Sequence, residues 1–585
     1  MKIENATTGQ RAAITTNSPI VLVVAGPGSG KTATLVARVE ELLKDGIGAE
    51  EIAILTFTNA AAGELQRRLP KVVRSDDPEK KETPIQLGFI GTLHSFALRM
   101  LKEHGAPFGY GERVAIISPE SAADLIESKA KTLGCKKPLK DLLEIKAKGR
   151  PERTTRMDVA NTVVASYYDD LKEAGVVDYD VLLMEFRDML TSDAPAAMSA
   201  TQTLRNRFAC LFVDEVQDSA PIDWEIYRAF PAHAKFYVGD PDQAIYAFRG
   251  GSVAEMVQLS KQPDVQVIYL EENFRSCPEV CAAAQHLISN NSLRVPKETR
   301  AAVLTRGEVS VLPPTANEGE EIGVVARRIQ RINQEQPGAS VAVLTRTNAV
   351  ADAFRKTLAA CSIPVVGREV SQLPRDWPMA RAFVELLADP NNDSLAFFYL
   401  ITLYEKKGAN PKEAREAAHA ARRAATAAGK TINAANLHFG RVVRPESAME
   451  ALAGQNVSKE AQAVAVERFR ELPLGSTLGD LALSLAEVRE HVKDGEGDGV
   501  RVLTIHGAKG REFDVVFLVG FEDESIPGRA AKIGPEAVEE ERRLAYVAMT
   551  RARRELVFTT AETRVTKWKE VVKRTPSRFI AETLG

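Results

Sequence analysis

The chain has 585 residues, of which 44% are hydrophobic and 26% are charged, and its formal net charge is −3. This length is too great for one hydrophobic core, and the composition excludes a disordered or fibrous protein. The net charge excludes a protein whose whole surface is positive, but it is compatible with a groove that is locally basic. No apolar run is long enough to span a membrane and the N-terminus has no secretory pattern, so we expect a cytoplasmic protein without a membrane partner.

Apolar strands alternate with amphipathic helices in the first part of the chain, a pattern that indicates a parallel sheet covered on both faces. The predicted elements are strand Ile20–Ala25, helix Lys31–Leu43, strand Ile52–Thr56, helix Asn59–Leu69, strand Cys210–Val213 and strand Phe236–Gly239. A second α/β set has predicted strands at Val309–Leu312, Val341–Thr345, Val500–Ile505 and Val515–Val519. The sequence therefore predicts an α/β protein with two doubly wound parallel-sheet domains.

Two mainly helical insertions interrupt these domains. We expect residues 1–103 and 186–276 to form the first α/β domain and 104–185 to form its insertion. Residues 277–391 and 499–585 would form the second domain, and 392–498 its insertion. The alanine-rich segment Pro411–Ala428 is a strong helix former within the second insertion. The glycine-rich segment Gly495–Gly499 is typical of a flexible return to the sheet.

The segment Ala25–Thr32 follows an apolar strand, opens a helix and matches a phosphate-binding loop, with Ala25 where the first glycine is usual. Its glycines let backbone amides converge on phosphates at a helix N-terminus, where negative charge is favoured. Lys31 is expected to meet the β- and γ-phosphates of ATP, and the Thr32 hydroxyl to help bind Mg²⁺. The predicted loop residues are Gly26, Gly28, Ser29, Gly30, Lys31 and Thr32.

Acids and arginines downstream supply the groups that ATP hydrolysis needs. Asp214 and Glu215 end an apolar strand, where Asp214 would hold Mg²⁺ and Glu215 would orient or deprotonate the attacking water. Gln243, after the next strand, could contact the γ-phosphate. Arg275 and Arg551 are candidates for stabilising charge on the transferred phosphoryl group, although most arginines are solvated or paired surface residues.

Nine motifs in order resemble those of the UvrD/Rep/PcrA-like superfamily 1A DNA helicases, over residues 5 to about 560 outside the insertions. The chain would be a compact member of that family. The motifs are TGQRAAI (8–14), AGPGSGKT (25–32), TFTNAAAGEL (56–65), GTLHSFALRML (91–101), VDEVQDS (213–219), GDPDQAIYAFRGG (239–251), LEENFRS (270–276), LTIHGAKGREFDVVFL (503–518) and EEERRLAYVAMTRA (539–552).

The resemblance implies two RecA-like motor domains with ATP and Mg²⁺ in the cleft between them. Gln10 would recognise adenine, Phe274 would stack on it and Glu512 would bind the ribose, while Arg275 and Arg551 would face the γ-phosphate. One departure is Ala33, which stands where the family has an arginine on the other face of adenine. Arg38, further along the same helix, is the candidate substitute.

The resemblance also implies 3′ to 5′ movement on single-stranded DNA and unwinding of duplex at single-strand/double-strand junctions. Aromatic faces stack on any base and give a sequence-independent grip. For each phenylalanine, core packing is the ordinary alternative. The residues at the family's DNA-contacting positions are Phe57, Thr92, His94, Tyr246, Phe248, Arg249 and His506. The short second insertion suggests a monomeric translocase that is weakly restrained or needs an accessory protein partner.

Three alternatives stay open at this point. A nucleotide-dependent switch could use the same folds without processive movement, although every catalytic position, including Glu215, is filled. A helicase–nuclease subunit is disfavoured because the chain ends at Gly585, soon after the last motif. An RNA substrate is compatible with the motifs.

Overall fold

A computed structural model describes residues 3–73, 82–110, 114–117, 119–151, 157–174, 176–246, 251–371, 457–472, 491–494, 499–565 and 570–585, with a few single residues between 380 and 485. The predicted helical run Pro411–Ala428 and residues 495–498 of the glycine-rich return lie outside the described residues. Phe248 and Arg249 lie outside them as well.

The first sheet has six parallel strands in the order β6-β1-β5-β4-β2-β3. Its strands are Ile20–Ala25 (β1), Ile52–Thr56 (β2), Phe89–Thr92 (β3), Cys210–Val213 (β4), Ala234–Gly239 (β5) and Gln266–Leu270 (β6). Strands β2 and β4 are buried at every position, as expected for a parallel sheet with helices on both faces. These strands are therefore continuous apolar runs. Strands with one exposed face would instead show alternating apolar and polar residues.

The second sheet has seven strands in the order β7-β13-β12-β8-β11-β9-β10. They are Glu308–Val311 (β7), Val341–Thr345 (β8), Val365–Ser371 (β9), His491–Asp494 (β10), Val500–Thr504 (β11), Phe513–Leu518 (β12) and Ala552–Phe558 (β13). All neighbouring pairs are parallel except β9 and β10. The prediction of two doubly wound parallel-sheet domains is confirmed, with one antiparallel edge strand added to the second.

Eighteen helices can be bounded within the described residues. Those of the first part are Thr8–Thr15 (α1), Lys31–Lys44 (α2), Asn59–Arg68 (α3), Leu93–His104 (α4), Pro119–Thr132 (α5), Leu139–Ala147 (α6), Val159–Ala174 (α7), Tyr179–Thr191 (α8), Pro195–Arg207 (α9), Pro221–Ala229 (α10) and Val253–Leu259 (α11). Those of the second are Pro278–Ile288 (α12), Glu318–Glu335 (α13), Asn348–Ala360 (α14), Lys459–Glu471 (α15), Ala530–Ile533 (α16), Pro535–Met549 (α17) and Arg578–Leu584 (α18).

Helices α5 to α7 lie within the predicted first insertion, and the predicted boundary at 185/186 falls inside α8. Residues of α5, α6 and α7 share one hydrophobic cluster with α4, α8 and the first sheet. In this cluster Phe96 of α4 meets Phe186 of α8 with ring centroids 5.8 Å apart. The insertion helices thus pack against the first α/β domain. Among the described helices none is long and apolar enough to cross a membrane.

The motif segments begin where strands of the two sheets end. The phosphate loop follows β1, the acids 214–215 follow β4, and the turn at 240–243 follows β5. Segment 272–275 follows β6, and the turn at 506–509 follows β11 of the second sheet. The carboxyl ends of parallel strands share one edge of a sheet, so the segments of the first sheet lie together. The bonds from Lys509 to Asp218 and from Arg551 to Gln243 bring segments of the second domain against that edge.

Candidate nucleotide cleft and nucleic-acid face

The glycine-rich loop joins the end of β1 to the start of α2. Gly28 and Gly30 have φ angles of 68° and 80°, a left-handed backbone that glycine adopts without steric cost. Gly30 precedes α2 without a side-chain cap, so the first-turn amides of the helix favour an anion at the loop. A Cβ atom on Gly28 would lie 2.6 Å from Arg275 Cβ and 2.7 Å from Asn273 Oδ1. The loop therefore needs glycine for its shape and for its approach to segment 272–275.

The acid pair after β4 lies against the loop lysine. Lys31 Nζ is 3.6 Å from Glu215 Oε1. Glu215 has a φ angle of 52°, and a non-glycine residue in this region is found mainly where the surroundings hold it for function. Burial and the neighbouring Glu215 carboxylate raise the pKa of Asp214. Burial also works against ionisation of Glu215, but the ammonium groups of Lys31 and Lys509 outweigh it and lower the pKa of Glu215.

Thr32 and Asp214 were predicted to hold Mg²⁺, and their oxygen atoms are of the type that this ion prefers. Asp214 is only 8% exposed and accepts the Glu215 backbone N–H at 3.0 Å. Within the described residues, no group of three or more His, Cys, Asp or Glu could hold a metal ion by itself. The residues thus fit an ion that reaches the site with nucleotide phosphates and takes few ligands from the protein.

Gln243 and Arg551 meet across the joint between the two α/β domains. Arg551 Nη2 donates to Gln243 Oε1 at 3.3 Å, and Gln243 Nε2 donates to Asp240 Oδ2 at 2.6 Å. The Arg551 side chain also donates from Nε to the Val547 carbonyl at 2.9 Å. Burial, with Arg275 nearby, lowers the pKa of Arg551 to about 9. A guanidinium of the second domain is thereby held in place beside the turn at 240–243 of the first.

Arg275 and Glu512 are joined to each other. The Nε atom of Arg275 donates to Glu512, and its Nη1 atom donates to the Thr550 carbonyl at 3.4 Å. Glu512 also accepts from Arg553 Nη2 at 2.5 Å. Burial acts against ionisation of Glu512, but Arg553 and Arg275 together lower its pKa. The proposed ribose-binding acid is therefore engaged by two arginines in this arrangement.

Three of the predicted DNA-contacting residues form a row of rings. Phe57 and Tyr246 are stacked, with centroids 5.2 Å apart and planes 22° apart. Tyr246 and His506 have centroids 6.4 Å apart, and Lys509 Nζ lies 4.7 Å from the Tyr246 centroid. All four side chains are half-buried. Rings from both domains, with a cation over one of them, thus lie together at one edge of the joint.

Thr92 and His94 are placed differently from this row. Thr92 is buried and caps α4, accepting the Ser95 backbone N–H at 3.3 Å. His94 meets Tyr179 of the first insertion edge to face, with centroids 5.2 Å apart. Burial lowers the pKa of His94 to about 4, although Asp180 acts in the opposite direction. The structure therefore brings His94 to the junction with the insertion, while the Thr92 hydroxyl caps the helix.

Two family models match the chain, one for each of the two domains that border this cleft. The UvrD/REP helicase N-terminal domain matches residues 6–264, and the UvrD-like helicase C-terminal domain matches residues 268–373 and 451–563. This chain belongs to the UvrD-like helicase family. It is accordingly a helicase, an ATP-hydrolysing enzyme.

Curated relatives match over nearly the whole chain. The ATP-dependent DNA helicase PcrA of Leuconostoc citreum is 26% identical, over 100% of this chain and 86% of its own length. DNA helicase II of Salmonella typhimurium is 29% identical over 98% of this chain and 86% of its own length. DNA helicase II of Escherichia coli K12 gives the same identity and coverage.

In this UvrD-like helicase, the residues predicted to meet the base, Gln10 and Phe274, both lie against the phosphate loop. Gln10 donates from Nε2 to the Ser29 carbonyl at 2.9 Å and accepts the Thr7 backbone N–H at 3.1 Å. Its amide thereby fixes the loop, whose Ser29 hydroxyl donates to the Gly26 carbonyl at 2.7 Å. The Phe274 N–H donates to the Gly28 carbonyl at 2.9 Å, while its side chain remains 50% exposed. An exposed ring therefore stands directly beside the phosphate loop.

Arg38 does not replace the family arginine that Ala33 lacks. Arg38 is buried, and its Nη1 atom donates to the Ile14 carbonyl at 2.7 Å. Burial lowers its pKa despite Cys210 and Asp45 nearby. Five residues along an α-helix turn the side chain by about 140°, so residues 33 and 38 point in different directions. The structure thus makes Arg38 a tie between α2 and α1, and Ala33 alone occupies the position beside the loop.

Sequence reasoning missed Gln217, which connects two of the motif segments. Its Nε2 atom donates to Glu215 Oε2 at 2.5 Å, and its Oε1 atom accepts the Asp240 backbone N–H at 2.9 Å. Gln217 is completely buried. The signal that could have revealed it is its place in the motif VDEVQDS, two residues after Glu215. Gln217 holds the proposed base and links it to the turn that carries Gln243.

A buried ionic cluster joins this same turn to the second domain and was also missed. Lys297 Nζ is 2.6 Å from Asp240 Oδ1 and pairs with Asp242, while Arg294 Nη2 is 2.8 Å from Asp242 Oδ2. The Lys297 side chain is 1% exposed and both acids are fully buried. Glu539 of α17 holds the segment by accepting nearby backbone amides. The partners are more than fifty residues apart in sequence, so no local pattern could reveal them.

Proposed function

We propose that this chain is an ATP-dependent DNA helicase that moves 3′ to 5′ on single-stranded DNA and unwinds duplex, powered by Mg²⁺-dependent hydrolysis between two motor domains. The motor domains would comprise residues 1–103 with 186–276, and 277–391 with 499–585. The observation that carries the proposal is the 3.3 Å bond between Arg551 and Gln243. It joins a guanidinium of the second domain to the hydrolytic groups of the first.

The chemical step follows from the groups at the phosphate end. Glu215 would accept a proton from the water whose oxygen attacks the γ-phosphorus, as the bond to the β-phosphate oxygen breaks. Lys31, Arg275 and Arg551 would balance the charge on the phosphoryl oxygens, because fixed cations in a water-poor site stabilise such charge without reorganising. A Mg²⁺ ion at Thr32 and Asp214 would neutralise phosphate charge when bound.

Lys31 would change partners when nucleotide binds. A triphosphate carries more negative charge than one carboxylate, so the ammonium that lies 3.6 Å from Glu215 Oε1 would transfer to the β- and γ-phosphates. The loss of its cationic neighbour would raise the pKa of Glu215, since an opposite charge favours the ionised form. Nucleotide binding would therefore make Glu215 a better base.

Movement would follow from opening and closing of the cleft. ATP would draw Arg275 and Arg551 toward the first domain, and phosphate release would let the domains separate. The row of Phe57, Tyr246 and His506 spans the same joint, so its spacing would change with each cycle. Stacking platforms suit single-stranded nucleic acid of any sequence. The 3′ to 5′ polarity is the one that the family resemblance implies.

Strand displacement tests the proposal most directly. Partial duplexes with a 3′ or a 5′ single-stranded tail, of DNA or of RNA, are incubated with enzyme, ATP and Mg²⁺, and with Lys31→Ala as the inactive control. We expect displacement only with the 3′-tailed DNA and none with Lys31→Ala. Equal activity on both tails would refute the polarity, and activity that survives in Lys31→Ala would refute the assignment of the site.

A second measurement separates a motor from a nucleotide-dependent switch. ATP turnover is measured with and without single-stranded DNA, in the wild type and in Glu215→Gln. A motor shows turnover that rises with DNA and is lost in Glu215→Gln. A switch would bind nucleotide and DNA with little turnover in either protein. Omission of Mg²⁺ in the same assay tests the metal requirement.

A further inference from the structure

Lys509 joins three functional segments of the first motor domain to the second. It closes the short turn His506–Ala508 that follows β11. Its Nζ atom is 2.5 Å from Asp218 Oδ2 and 3.3 Å from the Gln243 carbonyl oxygen, and it lies 4.7 Å from the Tyr246 centroid. These three partners belong to the acid segment, the turn that carries Gln243, and the ring row.

The contact between Lys509 and Asp218 is buried, and Asp218 is the less exposed of the two side chains. The Lys509 side chain is 14% exposed and that of Asp218 is 1% exposed. Burial raises the pKa of Asp218 to about 6, even though Lys509 acts in the opposite direction. Among the described residues, Asp218 Oδ1 has no hydrogen-bond partner. Lys509 is thus the cation in direct contact with Asp218, and removal of its ammonium leaves the buried carboxylate with the longer 3.3 Å contact from Gln217 Nε2.

The same acid segment carries the proposed base. Gln217 Nε2 lies 3.3 Å from Asp218 Oδ2 and 2.5 Å from Glu215 Oε2. A displacement of Lys509 would therefore be felt at Glu215 through the Gln217 amide, which contacts both acids. At its other side, Lys509 lies over Tyr246, whose ring stacks on Phe57.

We propose that Lys509 is a positioning residue that couples the nucleotide site to the nucleic-acid face. Its ammonium holds Asp218, the Gln243 carbonyl and the Tyr246 ring in one arrangement when the domains are closed. Separation of the domains withdraws the cation from all three together. The nucleotide site and the positions of the Phe57, Tyr246 and His506 rings then change together as the domains separate. This inference rests on the proposed helicase function and names the residue that transmits it.

The decisive quantity is the thermodynamic coupling between two ligands. The dissociation constant for a fluorescent single-stranded DNA is measured by anisotropy, with and without a non-hydrolysable ATP analogue, and their ratio is the coupling factor. Proteins compared are the wild type, Lys509→Gln and the exposed-lysine control Lys532→Gln of α16. Coupling factors of about 5- to 150-fold are typical of linked sites.

We expect the coupling factor of Lys509→Gln to fall to near one, with nucleotide-free DNA affinity within about twofold of wild type, because a positioning residue changes linkage more than binding. DNA stimulation of ATP turnover should fall by about tenfold or more. In a double-mutant cycle, Asp218→Asn and Lys509→Gln should be strongly non-additive. Lys532→Gln should match the wild type in every measurement.

Three results would overturn the inference. The first is an unchanged coupling factor in Lys509→Gln. The second is a large loss of nucleotide-free DNA affinity, which would make Lys509 a direct DNA contact. The third is an equal loss of coupling in Lys509→Arg, which keeps the charge, together with a lowered unfolding temperature in both variants. That result would make the role of Lys509 purely structural. If the wild type itself shows no DNA-stimulated turnover, the proposed function fails, and that failure is distinct from all three.

Discussion

At the phosphate end of the nucleotide cleft the proposed catalytic groups are held by buried neighbours, whereas at the base end Phe274 stands 50% exposed. Gln243 and Arg551 are 5% and 2% exposed and bonded to each other across the domain joint. By contrast, the Gln10 amide is already used within the loop. Ala33 brings only a methyl group to the base end.

This difference implies that the rate of nucleotide hydrolysis and the selectivity among bases depend on different ends of the cleft. Charges that are fixed before the reaction stabilise the transition state, so the phosphate end should tolerate almost no substitution. One-sided stacking on a ring favours any base with a π face and discriminates weakly. The cleft should thus hydrolyse nucleotides efficiently without choosing strongly among bases.

The largest effect is expected from Arg551→Lys. Lysine keeps the positive charge but cannot donate to the Val547 carbonyl and to Gln243 at the same time. Loss of an arginine that stabilises phosphoryl transfer costs about 10³- to 10⁵-fold in kcat. Steady-state ATP turnover with saturating DNA measures the loss, and KM for ATP should change far less. The surface variant Arg578→Lys serves as the control, and a kcat near the wild-type value would remove Arg551 from the catalytic groups.

Glu215→Gln should lower kcat by about 10²- to 10⁴-fold, the usual contribution of a positioned base. Glutamine has nearly the same shape and can still accept from Gln217 Nε2. Nucleotide binding should therefore persist, and equilibrium binding of a fluorescent ATP analogue checks this. The matched control is Glu225→Gln, an acid of α10 that pairs with Arg187 on the surface. Wild-type turnover in Glu215→Gln would contradict its role as base.

Much of the phosphate end could be predicted because its signals are local. β1, β2 and β4 are continuous apolar runs, and each is followed directly by its functional loop. The predicted strand at Phe236–Gly239 begins two residues earlier, at Ala234. The missed strands carry polar or small residues, as in Phe89–Thr92 and in Ala552–Phe558, which contains Arg553, Arg554 and Glu555. Their burial depends on neighbours in the sheet, so sequence pattern alone does not predict them.

The parts that could not be predicted are long-range ionic contacts. Lys297 meets Asp240 across 57 residues, and Lys509 meets Asp218 across 291 residues. Lysines are usually exposed, so neither position suggests a buried partner. The suggestion that Arg38 replaces the missing arginine was wrong for a related reason. The helix period shows that residues 33 and 38 point apart, but only the packed structure shows that Ile14 accepts the guanidinium.

Base selectivity tests the open end of the cleft. We expect wild-type kcat/KM for ATP and GTP to differ by less than about tenfold, because one stacking surface is worth only about 1–3 kcal/mol for any base. Phe274→Ala should raise KM for both nucleotides by about tenfold or more with kcat nearly unchanged. Ala33→Arg should lower KM for both nucleotides severalfold by adding a planar cation at the second face of the base. A wild type that strongly rejects GTP would show that unseen contacts select the base.

The smallest kinetic effect should come from Arg38→Met. The substitution leaves the Ile14 carbonyl without its donor and should lower the free energy of unfolding by about 1–3 kcal/mol. Because Arg38 ties α2 to α1 on the side away from Ala33, the ATP-to-GTP ratio should remain within about twofold of wild type. Chemical denaturation measures the first quantity and nucleotide competition the second. The exposed Arg67→Met of α3 provides a control that should change neither. A changed nucleotide ratio in a stable Arg38→Met protein would return Arg38 to the base end, and the cleft would then be closed on both faces of the base.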